Sequence, residues 1–232
     1  MENKSGCLVC GSELKYLQEY VEKECFYCKN KVQSNVSCIN NHFICDRCHS
    51  FSALDLIEEY CLNTTSVNPV EIANVLMHSD AIKMHGPEHH YLVPAVLLAA
   101  YCNLQNDATK KEKLAIAKQR AEKVPGGSCG THGNCGAAVG TGIFISIITK
   151  ATSLSGNEWQ LSNMMTATSL MAIAKHGGPR CCKRDTFLAI TETVNYLKNL
   201  FEIELPLNEI KCDFSEFNKQ CLNENCTFYK LN

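Results

Sequence analysis

Three short stretches of this chain place thiols and imidazoles beside glycine. The first, "VPGGSCGTHGNCGAAVGTG" (124–142), holds Cys129, His132 and Cys135 among seven glycines. The second, "KHGGPRCCKRD" (175–185), holds the vicinal pair Cys181 and Cys182. The third, "KMHGPEHHYLVP" (83–94), holds His85, His89 and His90. Each precedes a helix-like run. Helix N-termini carry unpaired N–H groups and partial positive charge, so a cysteine there is expected to be more acidic than a free thiol. Glycine lets the backbone approach whatever is held. If the three helix starts face one cavity, Cys129, Cys135, Cys181 and Cys182 supply the four thiolates of a [4Fe–4S] or [2Fe–2S] cluster. Two other chemistries fit the same residues. One is metal-free thiol redox or sulfur transfer, with Cys135, Cys181 or Cys182 attacking and His132, His90 or His176 moving the proton. The other is a metal bound by His85, His89 and His90 together with cysteine. Adjacent cysteines rarely share one metal atom with good geometry, so one of Cys181 and Cys182 is expected to stay free or to bind a different iron. "HGPEHH" is not the HExxH zinc-protease pattern, which argues against hydrolysis.

The first 50 residues carry a second kind of signal. They hold seven of the chain's 16 cysteines and few aliphatic side chains. Four ligand pairs can be read: Cys7/Cys10, Cys25/Cys28, Cys38/His42 and Cys45/Cys48. A CxxC knuckle offers two thiolates to one tetrahedral ion, and zinc suits such a set without redox liability. Eight ligands make two sites, and both sequential and cross-braced pairing are compatible with the spacing. His49 is an alternative to His42, and a rubredoxin-like iron site on Cys7, Cys10, Cys25 and Cys28 is a lesser alternative. The tail adds Cys212, Cys221 and Cys226, three thiolates for a third metal with one position open, or else packing at a docked terminus. Cys61 and Cys102 lie within apolar helical stretches and are read as core.

These residues need elements to position them. After residue 50 the periodicity is helical, with no convincing strand alternation. Asn68 is a candidate N-cap with Pro69 at the first helical position and Glu71 as its capping partner. Pro94 is a possible kink in the run after Gly86-Pro87. Thr109 and Glu112 read as a capping box, followed by an apolar stripe at 114, 117, 121 and 124. Asn134 reads as the cap of a glycine- and alanine-rich buried helix. Gly177-Gly178-Pro179 stops one helix, and the next has its stripe at 187, 190, 194 and 197. The expected fold is mainly α: a bundle of about six helices with a small N-terminal zinc-knuckle module. The expected organisation is a zinc-binding module at 1–50, a helical domain with the Cys/His site at 51–205, and a cysteine-rich tail at 206–232 docked on it.

A formal net charge of −2 gives no electrostatic reason to expect nucleic acid or anionic lipid as a partner. The longest uncharged run, 133–149, is shorter than the ~20 residues of a spanning helix. The start "MENKSGCLVC" has no apolar secretory signal, so a reducing, cytoplasmic setting is expected, where patterned cysteines bind metal or react more often than they form disulfides.

The combination "C129…NCGAAVG…RCC182" resembles in part the family of possible redox proteins named for its C, GCAxxG, C, C pattern, with the cysteine and glycine order swapped at Cys135-Gly136. Over nearly the whole chain, the knuckles, "MHGPEHHYLVPAVLLAAY", "GGSCGTHGNCGAAVGTG", "GGPRCCKRDTFLAI" and the cysteine tail resemble a cysteine-rich domain family of unknown function from anaerobic bacteria and archaea. That resemblance implies an anaerobic, metal-rich context and a protein partner of the radical-SAM or methyltransferase-like kind. It implies no activity. Three readings therefore stand: a metalloprotein with redox or sulfur-transfer chemistry, a non-enzymatic accessory or docking protein, and a purely structural zinc protein.

Overall fold

The structure is a computed structural model that describes residue 7, residues 9–45 and residues 52–230. Among the described residues it is mainly helical, with a small cysteine-bearing module at the N-terminal end, the architecture expected from the sequence. The module is built on an antiparallel hairpin, β1 (Leu14–Glu24) and β2 (Lys31–Cys38), with an irregularity in register between Tyr16 and Val21. Few of its side chains reach a core. Its main anchor is Tyr27, which is buried and packs edge-on against Tyr60 of the first helix at 6.0 Å between ring centroids.

The body consists of α1 (Ala53–Asn63), α2 (Pro69–Met77), α3 (Glu88–Gln105), α4 (Lys110–Ala121), the single turn α5 (Ser128–Thr131), α6 (Gly136–Ile148), α7 (Asn157–Lys175) and α8 (Cys182–Phe201). The six helical runs read from the sequence are present. The two additional helices are α1, capped by Ser52 accepting from the Asp55 N–H, and the turn α5. The hairpin is a further element beyond those the sequence predicts.

α3 and α6 are apolar on nearly every face, which is the signature of helices enclosed by others. Leu92 to Ala100 of α3 are all buried, and α3 runs unbroken through Pro94. α6 crosses it closely, with Gly140 lying against Pro94 and Val93. The stripe Phe187, Ile190, Val194 and Leu197 of α8 is buried, as are Cys61 and Cys102, so those two thiols are core residues. Burial pushes the Cys102 thiol up to about 11 and that of Cys61 further still.

Capping follows the sequence at α2, where the Asn68 carboxamide accepts from the N–H groups of Val70 and Glu71. Glu71 itself accepts from the Ser66 hydroxyl rather than completing a box. Two caps differ from expectation. Thr109 stands at the N-cap of α4, but its hydroxyl donates to Asp107 and caps no helix N–H group. At α6 the cap is Cys135 and not Asn134. Residues after α8 run back over the bundle with little regular structure, apart from two short 3-10 turns and a bridge from Cys212 to Tyr229.

Candidate metal centres

The hairpin module brings the first and third ligand pairs together. Cys7, Cys10, Cys38 and His42 have ligand atoms all within 4.8 Å of one another. The Cys10 and Cys38 sulfurs are 3.8 Å apart, and His42 Nδ1 lies 3.2 Å from Cys10 Sγ and 3.5 Å from Cys38 Sγ. Thiolates at ~2.3 Å from a tetrahedral ion stand about 3.8 Å from each other, so this is the spacing one ion requires. The second pair and Cys45 of the fourth form the other group: Cys25, Cys28 and Cys45 also meet the 4.8 Å limit, with Cys28 and Cys45 sulfurs 3.7 Å apart. Their expected fourth ligand, Cys48, lies outside the described residues, as does His49. The pairing is cross-braced. β1 and β2 cause it, since the hairpin carries Cys38 and His42 back beside Cys7 and Cys10, and displaces Cys45 towards Cys25 and Cys28. A rubredoxin-like site on Cys7, Cys10, Cys25 and Cys28 is thereby excluded, because those residues belong to different groups.

The helical body contains a cavity of about 270 Å³. Its lining includes Cys129 from α5, Cys135 at the start of α6, Cys182 and Asp185 from the first turn of α8, and His85 and His90 flanking the start of α3. Three glycine-flanked motifs distant in sequence thus meet at one place. Lys183 fixes the start of α8 there. It is buried and donates to the Met77 and Ile82 carbonyls at 2.8 and 3.0 Å, tying α8 to the end of α2.

The two imidazoles that can serve a ligand are distinguishable by their hydrogen bonds. His90 donates Nδ1–H to the Val124 carbonyl at 3.1 Å, which leaves the lone pair on Nε2. Its ring lies directly on Gly136, where a Cβ would overlap the imidazole. His85 faces the Asn218 carboxamide oxygen through Nε2 at 3.2 Å. That oxygen also accepts from the Gln220 N–H, so Nε2 of His85 is the donor. Nδ1 of His85 is then a buried acceptor without a hydrogen-bond partner.

His89 is different, and its expected role as a ligand does not fit. It too lines the cavity, but Nε2 faces the Lys83 carbonyl at 3.1 Å and Nδ1 the Thr186 hydroxyl at 3.0 Å, so both nitrogens are already engaged. His132 does not fit either. It is exposed, it pairs with Thr131, and it is absent from the cavity lining because the α5 turn directs it outward. His176 likewise caps the exposed end of α7 through the Ala172 carbonyl. Cys181 lines a different pocket, with Cys212, Cys221 and Cys226.

The thiols are not acidified as their helix-end positions suggest. Cys135 does accept from the N–H groups of Ala137 and Ala138, but burial and then the Asp185 carboxylate outweigh them and push it up to about 12. Burial also raises Cys182 to about 11, against a bond from the Gly86 N–H. Asp185, whose carboxylate is 3.9 Å from Cys135 Sγ, is the residue the sequence reading missed. Its position three residues after Cys182 in a helix was the available signal, since that spacing puts both on one face. Burial raises Asp185 too, against the neighbouring guanidinium of Arg184 at 3.1 Å.

The family of unknown function DUF5714 matches residues 57–229, most of the chain. The chain belongs to that family. The DUF5714 match runs through the body and the tail together, so the cavity and every tail cysteine fall inside it, and the hairpin module precedes it. No curated protein and no solved structure matches the chain. Among the described residues no helix is long and apolar enough to cross a membrane.

Engagement of His89 has a consequence for acid stability. Burial, then the charge of Lys183, lowers its pKa from 6.5 to about 3. The unfolded chain therefore takes up a proton below pH 6.5 that the folded chain refuses until about pH 3. Stability is complete above pH 6.5 and is lost as pH falls through that window, by up to ~1.4 kcal/mol per unit and on the order of 5 kcal/mol in all. Urea unfolding followed by circular dichroism at pH 7 and pH 5 is expected to show a loss about 2 kcal/mol larger for the native sequence than for His89→Gln. Equal losses in the two proteins would refute this assignment.

Proposed function

We propose that this DUF5714 member is a metalloprotein in which the cross-braced module holds two structural zinc ions and the body cavity holds an iron–sulfur cluster used in redox or sulfur-transfer chemistry. The observation that carries the second part is the convergence of Cys129, Cys135 and Cys182 on one cavity that is also lined by His85 and His90. Three thiolates satisfy three irons of a four-iron cluster, and the fourth position falls to an imidazole or to an incoming small molecule. The cavity, at about 270 Å³, has space for both.

The raised thiols favour a bound cation over metal-free thiol catalysis. A nucleophilic cysteine must be substantially ionised near neutral pH, and Cys135 and Cys182 are pushed the other way. A bound cation reverses the sign, because it stabilises thiolate and the adjacent Asp185 carboxylate together. Asp185 is then held ionised beside Cys135, and Arg180 in the cavity lining favours an anionic ligand.

The accessory reading is supported by a separate feature. The hairpin leaves Tyr20 68% exposed, with Leu17, Val21 and Val32 also open to solvent, an apolar surface suited to a protein partner, for which the sequence resemblance implies the radical-SAM or methyltransferase-like kind. The cavity would then serve that partner.

The test is iron and acid-labile sulfide analysis of the full chain purified without oxygen. Cys135→Ser and Cys182→Ser are each expected to lose about four iron and four sulfide per chain relative to the native sequence, while Cys61→Ser retains them. Full retention by Cys135→Ser would overturn the cavity assignment.

A further inference from the structure

The vicinal pair is divided between two places. Cys181 is the N-cap of α8 and has an extended backbone, φ −139° and ψ 101°, so it and Cys182 project to different sides. Cys182 enters the cavity described above. Cys181 enters a pocket beneath the tail that is also lined by Cys212, Cys221 and Cys226. The remaining walls are largely apolar, with Met84, Phe187 and Phe228 among them.

We propose that Cys181, Cys212, Cys221 and Cys226 ligate a second iron–sulfur cluster of the four-iron class, separate from the cavity centre and separated from it by the width of the helix start.

Three observations support this. The first is spacing. Among the described residues, the groups with ligand atoms all within 4.8 Å are the two in the hairpin module; the tail thiols are set wider around a space of about 20 Å³. A water-sized sphere needs roughly 10–15 Å³ of such space. Thiolates drawn to ~2.3 Å around one zinc ion would leave none. A cluster, whose irons are held apart by bridging sulfides, fills a wider set of four thiolates.

The second is the hydrogen bonding of the sulfurs. Cys212 Sγ accepts from the Phe214 N–H at 3.4 Å, and Cys221 Sγ from the Asn223 N–H at 3.3 Å. In the hairpin module Cys7 Sγ accepts from the Val9 N–H with the same two-residue offset. Cys181 Sγ accepts from the buried Asn218 carboxamide at 3.6 Å. Donors aimed at sulfur stabilise thiolate and tune a cluster.

The third is the tail itself. Residues 202–230 hold only the two short 3-10 turns and one bridge, and few of their side chains are buried. A segment of that length without regular structure is ordinarily either functional or disordered, and a bound metal centre supplies the ordering energy that burial here does not.

The experiment uses the full chain purified without oxygen, with iron and sulfide counted for each variant. Cys212→Ser, Cys221→Ser and Cys226→Ser are expected to lose about four iron and four sulfide. Cys181→Ser is expected to behave as they do, and Cys182→Ser as Cys135→Ser does. The double variant Cys135→Ser/Cys226→Ser loses both sets, whereas failure of the cavity assignment alone would leave the loss in Cys226→Ser intact. Because a serine could loosen the tail, iron-edge anomalous scattering from crystals of the native chain provides the second measurement, with a peak expected between Cys181 and Cys226. One zinc lost without sulfide, a disulfide within the set in the anaerobic protein, or unchanged iron in Cys226→Ser would each overturn the proposal.

Discussion

Replacing Cys10 with serine is expected to remove one zinc ion and leave the other in place, and replacing Cys25 is expected to do the converse. The physical basis is the cross-brace: Cys10 is grouped with Cys7, Cys38 and His42, and Cys25 with Cys28 and Cys45, each a set that could hold one ion. The effect on folding is large. Structural zinc contributes apparent binding energies of about 10–16 kcal/mol in small domains, and that energy is folding energy where burial is scarce. Most of β1 and much of β2 are exposed, so the hairpin has little else to hold it. Stripping zinc with a chelator should therefore unfold the module while the helices of the body, with their own apolar core, survive. Elemental analysis gives the stoichiometry, and cobalt substitution distinguishes the Cys/His site from the all-cysteine one by its absorption. If Cys10→Ser and Cys25→Ser abolished the same ion and left the same spectrum, the pairing would be sequential and the cross-brace wrong.

The helices were legible because their signals are local. Asn68-Pro69, the stripe of α8 and the glycine stop after α7 each depend on neighbours within a turn or two. α1 carried a comparable signal in Ser52 and Asp55, but its cap lies at the boundary of the cysteine-rich segment, where metal spacing dominates the reading. The hairpin was hidden for a similar reason. β1 is a charged, largely exposed strand, so it lacks the apolar alternation that marks a half-buried one. The choice between sequential and cross-braced pairing depended on that hairpin, and so it too could not be read.

At the body site the residue types were legible and their partners were not. Glycine-flanked cysteines pointed to a pocket, and Cys129, Cys135 and Cys182 do meet. The sign of the thiol shifts depends on burial and on Asp185, fifty residues from Cys135, which no local rule detects. His85, His89 and His90 look equivalent in sequence. They separate only when their hydrogen bonds are known, with His89 committed to Thr186 and Lys83. The adjacent Cys181 and Cys182 separate only when the backbone angle at the start of α8 is known.

Alanine at Gly136 is expected to empty the cavity centre while leaving the bundle folded. Gly136 is the first residue of α6, and the His90 ring lies against its Cα. The added Cβ cannot be absorbed by a flexible side chain, because His90 is held at its other edge by the Val124 carbonyl. The ring must rotate away or α6 must retreat, and either movement shifts Cys135, the cap of α6, relative to Cys182. Displacing a group that orients a metal ligand costs roughly 10- to 100-fold in metal affinity. Overpacking of this kind costs about 1–3 kcal/mol of stability, and melting should fall by roughly 2–4 °C for each kcal/mol in a chain of this size. The module zinc should be unaffected, since its described ligands belong to the hairpin module and not to α6. A Gly136→Ala protein with the native iron and sulfide content would show that His90 and the start of α6 do not shape the centre. A Gly136→Ala protein that also lost its module zinc would show that the fold as a whole had failed, and Ala137→Val, one residue further along the same cavity wall, would then provide the gentler perturbation, with iron content again the readout.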